Sequence, residues 1–472
     1  TVLCIEASCM LPSLLVAFIY REQAAVSLII SIIITAAIGF ILTRIKTPVL
    51  SIYTRDGFAI VALSWINVSL FGAIPFVISG SIPRFIDAVF ECASGFSTTG
   101  ATVLKEIESL PKSILFWRSF THWLGGMGVL ILMLAIFPTI KANTINIMKA
   151  ESPGPSPGKL VPKIHQTAEI LYIIYFVLTA VQVVFLLAGG MPLYDALIHS
   201  FGTAGTGGFS NRNASIAAYN SVYIETVITI FMLLFGVNFT LYYMLVKRNV
   251  KSVLRDEELR FYLGVVIAAI ILITFNIYGT VYQTIGDSVR YASFQVSSII
   301  TTTGFVTADF NMWPKFSQAI LIILMFIGGN AGSTAGGIKC IRIVLLFKII
   351  KQKITNINHP KAVQAVKING RIVSEDILYG VLAYFFIIMS ITAAAILIIA
   401  LEGKDLVTTS TAVFTCINNV GPGLELVGPI ENFADFSALS KAVLTFCMIA
   451  GRLEIYPIML LFFPSFWKRS SI

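Results

Sequence analysis

The chain has 472 residues, of which 57% are hydrophobic and 12% charged, with a net charge of +9. A soluble domain carries about 25% charge, so this composition excludes an ordinary water-soluble globule. The basic excess does not indicate nucleic-acid binding, because Lys and Arg gather in a few short segments between apolar runs.

Runs such as 24–42, 170–187 and 380–401 reach 18 residues or more with few charges. At about 1.5 Å per residue, each crosses most or all of a core of about 30 Å as a helix. An α-helix also satisfies its own backbone groups in lipid. Ten spans are predicted, at about 2–20, 24–43, 57–79, 113–138, 166–188, 221–246, 260–280, 316–349, 377–400 and 437–463. The class is an all-α polytopic membrane protein.

An even number of spans returns both termini to one side. Five basic segments mark that side as the cytoplasm. They hold Arg44, Lys46 and Arg55; Lys141, Lys149, Lys159 and Lys163; Lys247, Arg248, Lys251, Arg255 and Arg260; residues 348–371; and Lys468-Arg469. The opposite loops carry Asp87, Glu91, Asp195, Asp287, Asp309 and Asp405. The first apolar segment lacks a basic flank, which argues against a cleaved signal peptide. The six cysteines (Cys4, Cys9, Cys92, Cys340, Cys416, Cys447) show no CxxC spacing and read as small hydrophobes.

Between spans three and four, five and six, seven and eight, and nine and ten lies a shorter apolar segment followed by small residues. These segments, 84–95, 194–202, 289–300 and 406–417, are too short to span and fit re-entrant helices. The unit of span, short helix, knot and span thus repeats four times after a two-helix preface. The preface covers 1–45 and the first repeat 46–140. A cytoplasmic linker and the second repeat cover 141–248, the third repeat 249–350, and a cytoplasmic segment with the fourth repeat 351–472. The linker stretch 151–163 is too rich in Pro and Gly to be helical throughout. The basic stretch 348–370 serves topology and lipid headgroups, or docks a partner.

The knots centre on Gly100, Gly207, Gly304 and Gly421, spaced by 107, 97 and 117 residues. Irregular backbone at membrane depth is tolerated only where it is buried in protein or lines a water-filled cavity. Four such knots around one axis form a ring of carbonyls able to replace a cation's hydration shell. Glycine turns its carbonyl inward through positive φ, and the negative helix ends favour a cation.

The stretches "GFSTTGATV", "GTGGFS", "TTTGFVTADF" and "CINNVGPGL" resemble the four pore loops of the TrkH/TrkG/KtrB superfamily of bacterial potassium-uptake proteins. "WLGGMGVLIL" (123–132), "GGNAGSTAGGIK" (328–339) and "GRLEIYP" (451–457) are similar to its other hallmarks, and the preface is similar to the TrkH branch. The resemblance implies a single-chain, pseudo-fourfold, potassium-channel-like pore in the bacterial inner membrane. Its K⁺ filter would be lined by Thr98, Thr99, Gly100 and Ala101; Gly205, Thr206, Gly207 and Gly208; Thr302, Thr303, Gly304 and Phe305; and Asn419, Val420, Gly421 and Pro422. With one shared glycine per loop, K⁺ over Na⁺ selectivity is expected to be looser than in a channel with a longer repeated signature. The resemblance also implies a homodimer and a cytoplasmic, TrkA-like ring of nucleotide-binding subunits. No cofactor is expected beyond K⁺ ions in the pore.

Five glycines within residues 328–337 interrupt the eighth span, each costing a helix interior roughly 1 kcal/mol relative to Ala. This stretch packs a helix closely or, as the resemblance implies, unwinds below the filter as a movable barrier. The gate residues are Gly328, Gly329, Asn330, Gly332, Ser333, Thr334, Gly336, Gly337 and Lys339. Gly332 and Gly337 have P-loop spacing, but Ile338 replaces its Lys and no strand precedes it, so nucleotide binding is excluded. Arg452, deep in the last span, either pairs with Glu454 or joins the barrier, as in the family. His122 is expected to pack. No enzyme motif appears in a plausible context. The alternative function is a Na⁺- or H⁺-coupled secondary transporter with the broken helix as substrate site.

Overall fold

The computed structural model describes residues 1–45, 54–128, 164–359 and 364–467. The linker 151–163 lies outside them, as do Lys46, Lys141, Lys149, Lys159, Lys163, Lys468, Arg469 and the far part of the fourth span. The described chain is helical apart from loops and one short hairpin that pairs Lys367–Ile368 with Arg371–Ile372. Among the described residues, six helices are long and apolar enough to cross a membrane, or seven if Val222–Phe235 and Phe239–Val246 form one bent span. Only 28% of the window in Thr167–Ala188 is buried, and the same holds for Glu375–Ala400. Their outer faces, with Phe176, Phe386 and Leu397, are apolar and exposed, as lipid requires.

The preface consists of Val2–Cys9 and Leu11–Ile19, with Pro12 opening the second piece, followed by Ala24–Arg44. All four re-entrant helices are present, as Phe85–Phe96, Leu193–Gly205, Ile285–Ile300 and Leu406–Ile417. Thr284 and Asp405 cap the last two, accepting from the Asp287 and Thr408 N–H groups at 3.0 and 2.8 Å. Bonding to Thr408 holds the exposed Asp405 carboxyl below its usual range.

The spans that follow the re-entrant helices are less continuous than the hydropathy pattern suggests. Lys112–Gly126 stops at Met127, and Val222–Phe235 turns by 92° into Phe239–Val246. Lys315–Ile327 and Cys340–Asn358 are separated by the Gly-rich stretch. Ala438–Arg452 ends before Tyr456–Leu461, with Glu454 and Ile455 at positive φ. The third break was expected and a Gly-rich turn follows His122 in the fourth span, but the other two fall inside long apolar runs.

Two of the acidic residues assigned to outer loops are instead buried on re-entrant helices. Glu91 is fully buried and Asp195 nearly so, each held by polar partners that remove the need for water. All six cysteines are free thiols, four of them buried.

Candidate functional site

Each knot is built on one backbone pattern. Thr98, Thr206, Thr302 and Asn419 have φ of 57°, 56°, 56° and 55°. Two residues later come Gly100, Gly208, Gly304 and Gly421, at 80°, 73°, 80° and 98°. Between them, the N–H of Thr99, Gly207, Thr303 and Val420 donates to the carbonyl of Ser94, Gly202, Ser298 and Thr415, at 2.8–2.9 Å. That bond caps each re-entrant helix through a left-handed residue. A non-glycine residue held there costs about 1–3 kcal/mol, which the surrounding structure must offset.

This register shifts the expected alignment of the second loop by one residue. The counterpart of Gly100, Gly304 and Gly421 is Gly208, whereas Gly207 does not have positive φ. The aligned quartet is therefore Thr206-Gly207-Gly208-Phe209, and Gly205 belongs to the last turn of the helix. Gly207 is glycine for a different reason: a Cβ there would come closer than 3.0 Å to the His122 ring. The imidazole is fully buried, 4.1 Å from the Phe209 ring centroid, with Nδ1 2.7 Å from the Gly95 carbonyl oxygen.

The four loops close on one another. A Cβ on Gly100 would strike the carbonyl oxygen of Gly207, and one on Gly208 that of Thr303. On Gly304 it would strike the Val420 carbonyl, and on Gly421 the Thr99 carbonyl, all nearer than 3.0 Å. Each glycine thus lies against the carbonyl preceding the next loop's glycine, and the fourth loop returns to the first. All four glycines line one cavity, together with Ala101, Phe209 and Pro422.

Behind the ring stand polar side chains that sequence reading missed. Glu91, His199 and Gln295 each lie nine residues before their loop's glycine, and Ala412 takes that place in the fourth. The Glu91 carboxylate accepts from the Thr102 hydroxyl (2.8 Å), the Val103 N–H (2.9 Å) and Arg118 Nε (2.6 Å). Arg118 in turn donates to the Ser210 carbonyl (3.0 Å) and stacks 3.5 Å above the Phe209 ring, joining loops one and two. His199 Nε2 lies 3.0 Å from the Ser210 hydroxyl. With its amide oriented so that the oxygen faces them, Gln295 accepts from the Thr307 and Ala308 N–H groups at 3.0 and 3.2 Å. In the fourth loop, Thr411 accepts from the Leu424 N–H at 3.1 Å.

A family model described as "Cation transport protein", TrkH, matches residues 21–469. The chain belongs to the TrkH family. It is 39% identical to the Trk system potassium uptake protein TrkH of Salmonella typhimurium, over 96% of this chain and 95% of that one. It is 36% identical to the Trk system potassium uptake protein TrkG of Escherichia coli, over 97% and 95%. The crystal structure of the potassium transporter TrkH from Vibrio parahaemolyticus superposes with a TM-score of 0.87 at 33% identity, covering 99% of this chain and 97% of that one. Such relatives are transporters, not enzymes.

In this TrkH-family chain the Gly-rich stretch lies against the first residues of the ring. The Gly336 N–H donates to the Thr302 hydroxyl (2.6 Å), and the Thr206 hydroxyl donates to the Thr334 carbonyl (2.9 Å). Arg452 donates to the same Thr334 carbonyl (2.8 Å) and to the Gly125 and Gly126 carbonyls, both at 2.6 Å. Glu454 carries the Arg342 guanidinium. Three polar side chains of the stretch bond to backbone carbonyls. Ser333 donates to the Asn330 carbonyl (2.6 Å) and Thr334 to Phe235 (3.2 Å), while Lys339 bonds the Ala335 carbonyl. Asn330 is fully buried with both amide atoms unpartnered. Gly328, Gly332, Gly337 and Lys339 take positive φ, which no continuous helix allows. A Cβ on Gly329 would strike the Ala335 side chain.

Proposed function

We propose that the four-loop ring is a K⁺ filter through which the protein takes potassium into the cell. The closure of the ring carries this reading: each of Gly100, Gly208, Gly304 and Gly421 abuts a carbonyl of the neighbouring loop. Backbone oxygens so crowded leave no place for side chains, and they can exchange for the hydration shell of a cation. The names and lengths of the relatives support K⁺ as the ion. The membrane potential, worth about 2.3 kcal/mol per charge per 100 mV, drives inward movement.

On this reading residues 328–339 and Arg452 form the barrier below the filter. The guanidinium ties Thr334 to the end of Lys112–Gly126, setting a fixed positive charge in the ion path. Basic segments such as 247–260 face the cytoplasm of a bacterial cell, and both termini lie there. The family resemblance adds a homodimer and a cytoplasmic nucleotide-binding ring. Reconstituted vesicles with opposed K⁺ and Na⁺ gradients test the reading. A filter gives flux that follows the K⁺ gradient without a second ion, whereas dependence on Na⁺ or H⁺ gradients favours a coupled transporter.

A further inference from the structure

A carboxylate outside the ring holds the Gly-rich stretch from both sides. Glu258, the second residue of helix Glu257–Ile277, is buried at 6% exposure. Its Oε1 accepts from the Ala331 N–H at 2.7 Å and from the Ile341 N–H at 3.0 Å. Ala331 lies within the stretch, and Ile341 is the second residue of the helix that follows it, Cys340–Asn358. The Ile341 N–H lies in the first turn of that helix, where backbone donors have no intrahelical partner and a carboxylate is favoured.

The same helix end is gripped from the other direction. At the tip of the short hairpin, Asn369 and Gly370 have φ of 49° and 78°, the conformation of a tight Asn-Gly turn. Asn369 Oδ1 accepts from the Glu257 N–H (2.9 Å), and its own N–H donates to the Glu257 carboxylate (2.9 Å). Its Nδ2 donates to Asp256 (2.7 Å). Lys348, on helix Cys340–Asn358, bonds the Lys367 carbonyl (2.6 Å) and pairs with Glu257. Hairpin, Gly-rich stretch and helix end are therefore linked residue by residue: Asn369 to 256–257, then Glu258 to Ala331 and Ile341.

We propose that Glu258 is the positioning residue of the barrier loop and that the Asn369 hairpin holds Glu258 in place. Withdrawing the hairpin from Asp256 and Glu257 then loosens the loop. This rests on the reading of residues 328–339 as a barrier. The hairpin lies in the basic segment 348–371, so the link gives a cytoplasmic event access to the pore without contact at the ring.

K⁺ flux through the full chain in proteoliposomes tests this with five variants. Deletion of 330–334 is expected to raise flux. Glu258→Ala is expected to raise it about tenfold, the scale of one lost charge-assisted hydrogen bond. Glu258→Gln keeps the single oxygen that both N–H groups share but not its charge, and gives a smaller rise than Glu258→Ala. Asn369→Ala raises flux less and adds nothing in the Glu258→Ala background. The K⁺ over Na⁺ preference is unchanged in every variant. Wild-type flux in Glu258→Ala beside raised flux in the deletion overturns this inference and leaves the barrier standing. Unchanged flux in the deletion overturns the barrier itself. Where Glu258→Ala does not fold, the exposed Asn369→Ala decides, and unchanged flux there overturns the link.

Discussion

The imidazole of His122 fills the space that a side chain on Gly207 would take, within 3.0 Å of where its Cβ would lie. Two adjacent glycines in the second loop thus answer to different demands. Gly208 needs positive φ, and Gly207 needs to be small. Gly207→Ala should destabilise by overpacking, about 1–3 kcal/mol, and His122→Ala should restore part of that loss. Gly208→Ala should abolish K⁺ transport in either background, because its obstacle is the Thr303 carbonyl of the next loop. Thermal unfolding in detergent and flux in vesicles, measured on the four proteins, separate the two roles.

Glu91 and Arg118 form a buried ion pair that touches the exits of two loops. Removing one partner strands a charge in a dry site, costing about 3–5 kcal/mol. Glu91→Ala and Arg118→Ala should each lower the unfolding temperature sharply, and surviving protein should discriminate K⁺ from Na⁺ less well. An apolar pair at both positions should recover stability but not selectivity. Recovery of both would show that the pair serves packing alone.

Arg452 donates to three carbonyls, those of Thr334, Gly125 and Gly126. Arg452→Ala frees the loop and removes the positive charge, so K⁺ flux should rise about tenfold, one charge-assisted hydrogen bond's worth. Arg452→Lys keeps the charge but loses the fork that spans these partners, and it should give an intermediate rise. Unchanged flux in both variants would remove Arg452 from the barrier.

Asn419 replaces Thr at the left-handed position of the fourth loop, and its amide bonds the Thr99 hydroxyl (3.0 Å) and the Met448 carbonyl (2.9 Å). Asn419→Asp exchanges a donor for an acceptor against Met448 and should lower the unfolding temperature. Asn419→Thr restores the residue of the other loops but loses these bonds, and it should weaken selectivity while folding.

The four re-entrant helices and their knots were legible because the unit recurs four times; one run of Ser, Thr and Gly alone equally suits helix packing in a membrane. The second knot was misread by one residue, since Gly207-Gly208 offers two glycines and only one position requires positive φ. That offset also hid the support behind the ring. Counted from Gly208, the sequence places Glu91, His199 and Gln295 at one distance from their glycines; counted from Gly207, it does not. The breaks at 236–238 and at 453–455 were hidden by hydropathy, which averages over a turn and does not register a few displaced hydrogen bonds. Asn369 meets Glu257 across 112 residues of sequence, and Glu258 meets Ala331 across 73, contacts that no local pattern announces.

The reversal potential under opposed K⁺ and Na⁺ gradients, compared between wild type and Gly304→Ser, tests the carbonyl filter most directly. Gly304 has φ of 80° and lies against the Val420 carbonyl, so a side chain must displace the ring. The account predicts a wild-type potential near the K⁺ limit and a shift toward zero in Gly304→Ser, from lost discrimination. An unshifted potential at wild-type flux would contradict it.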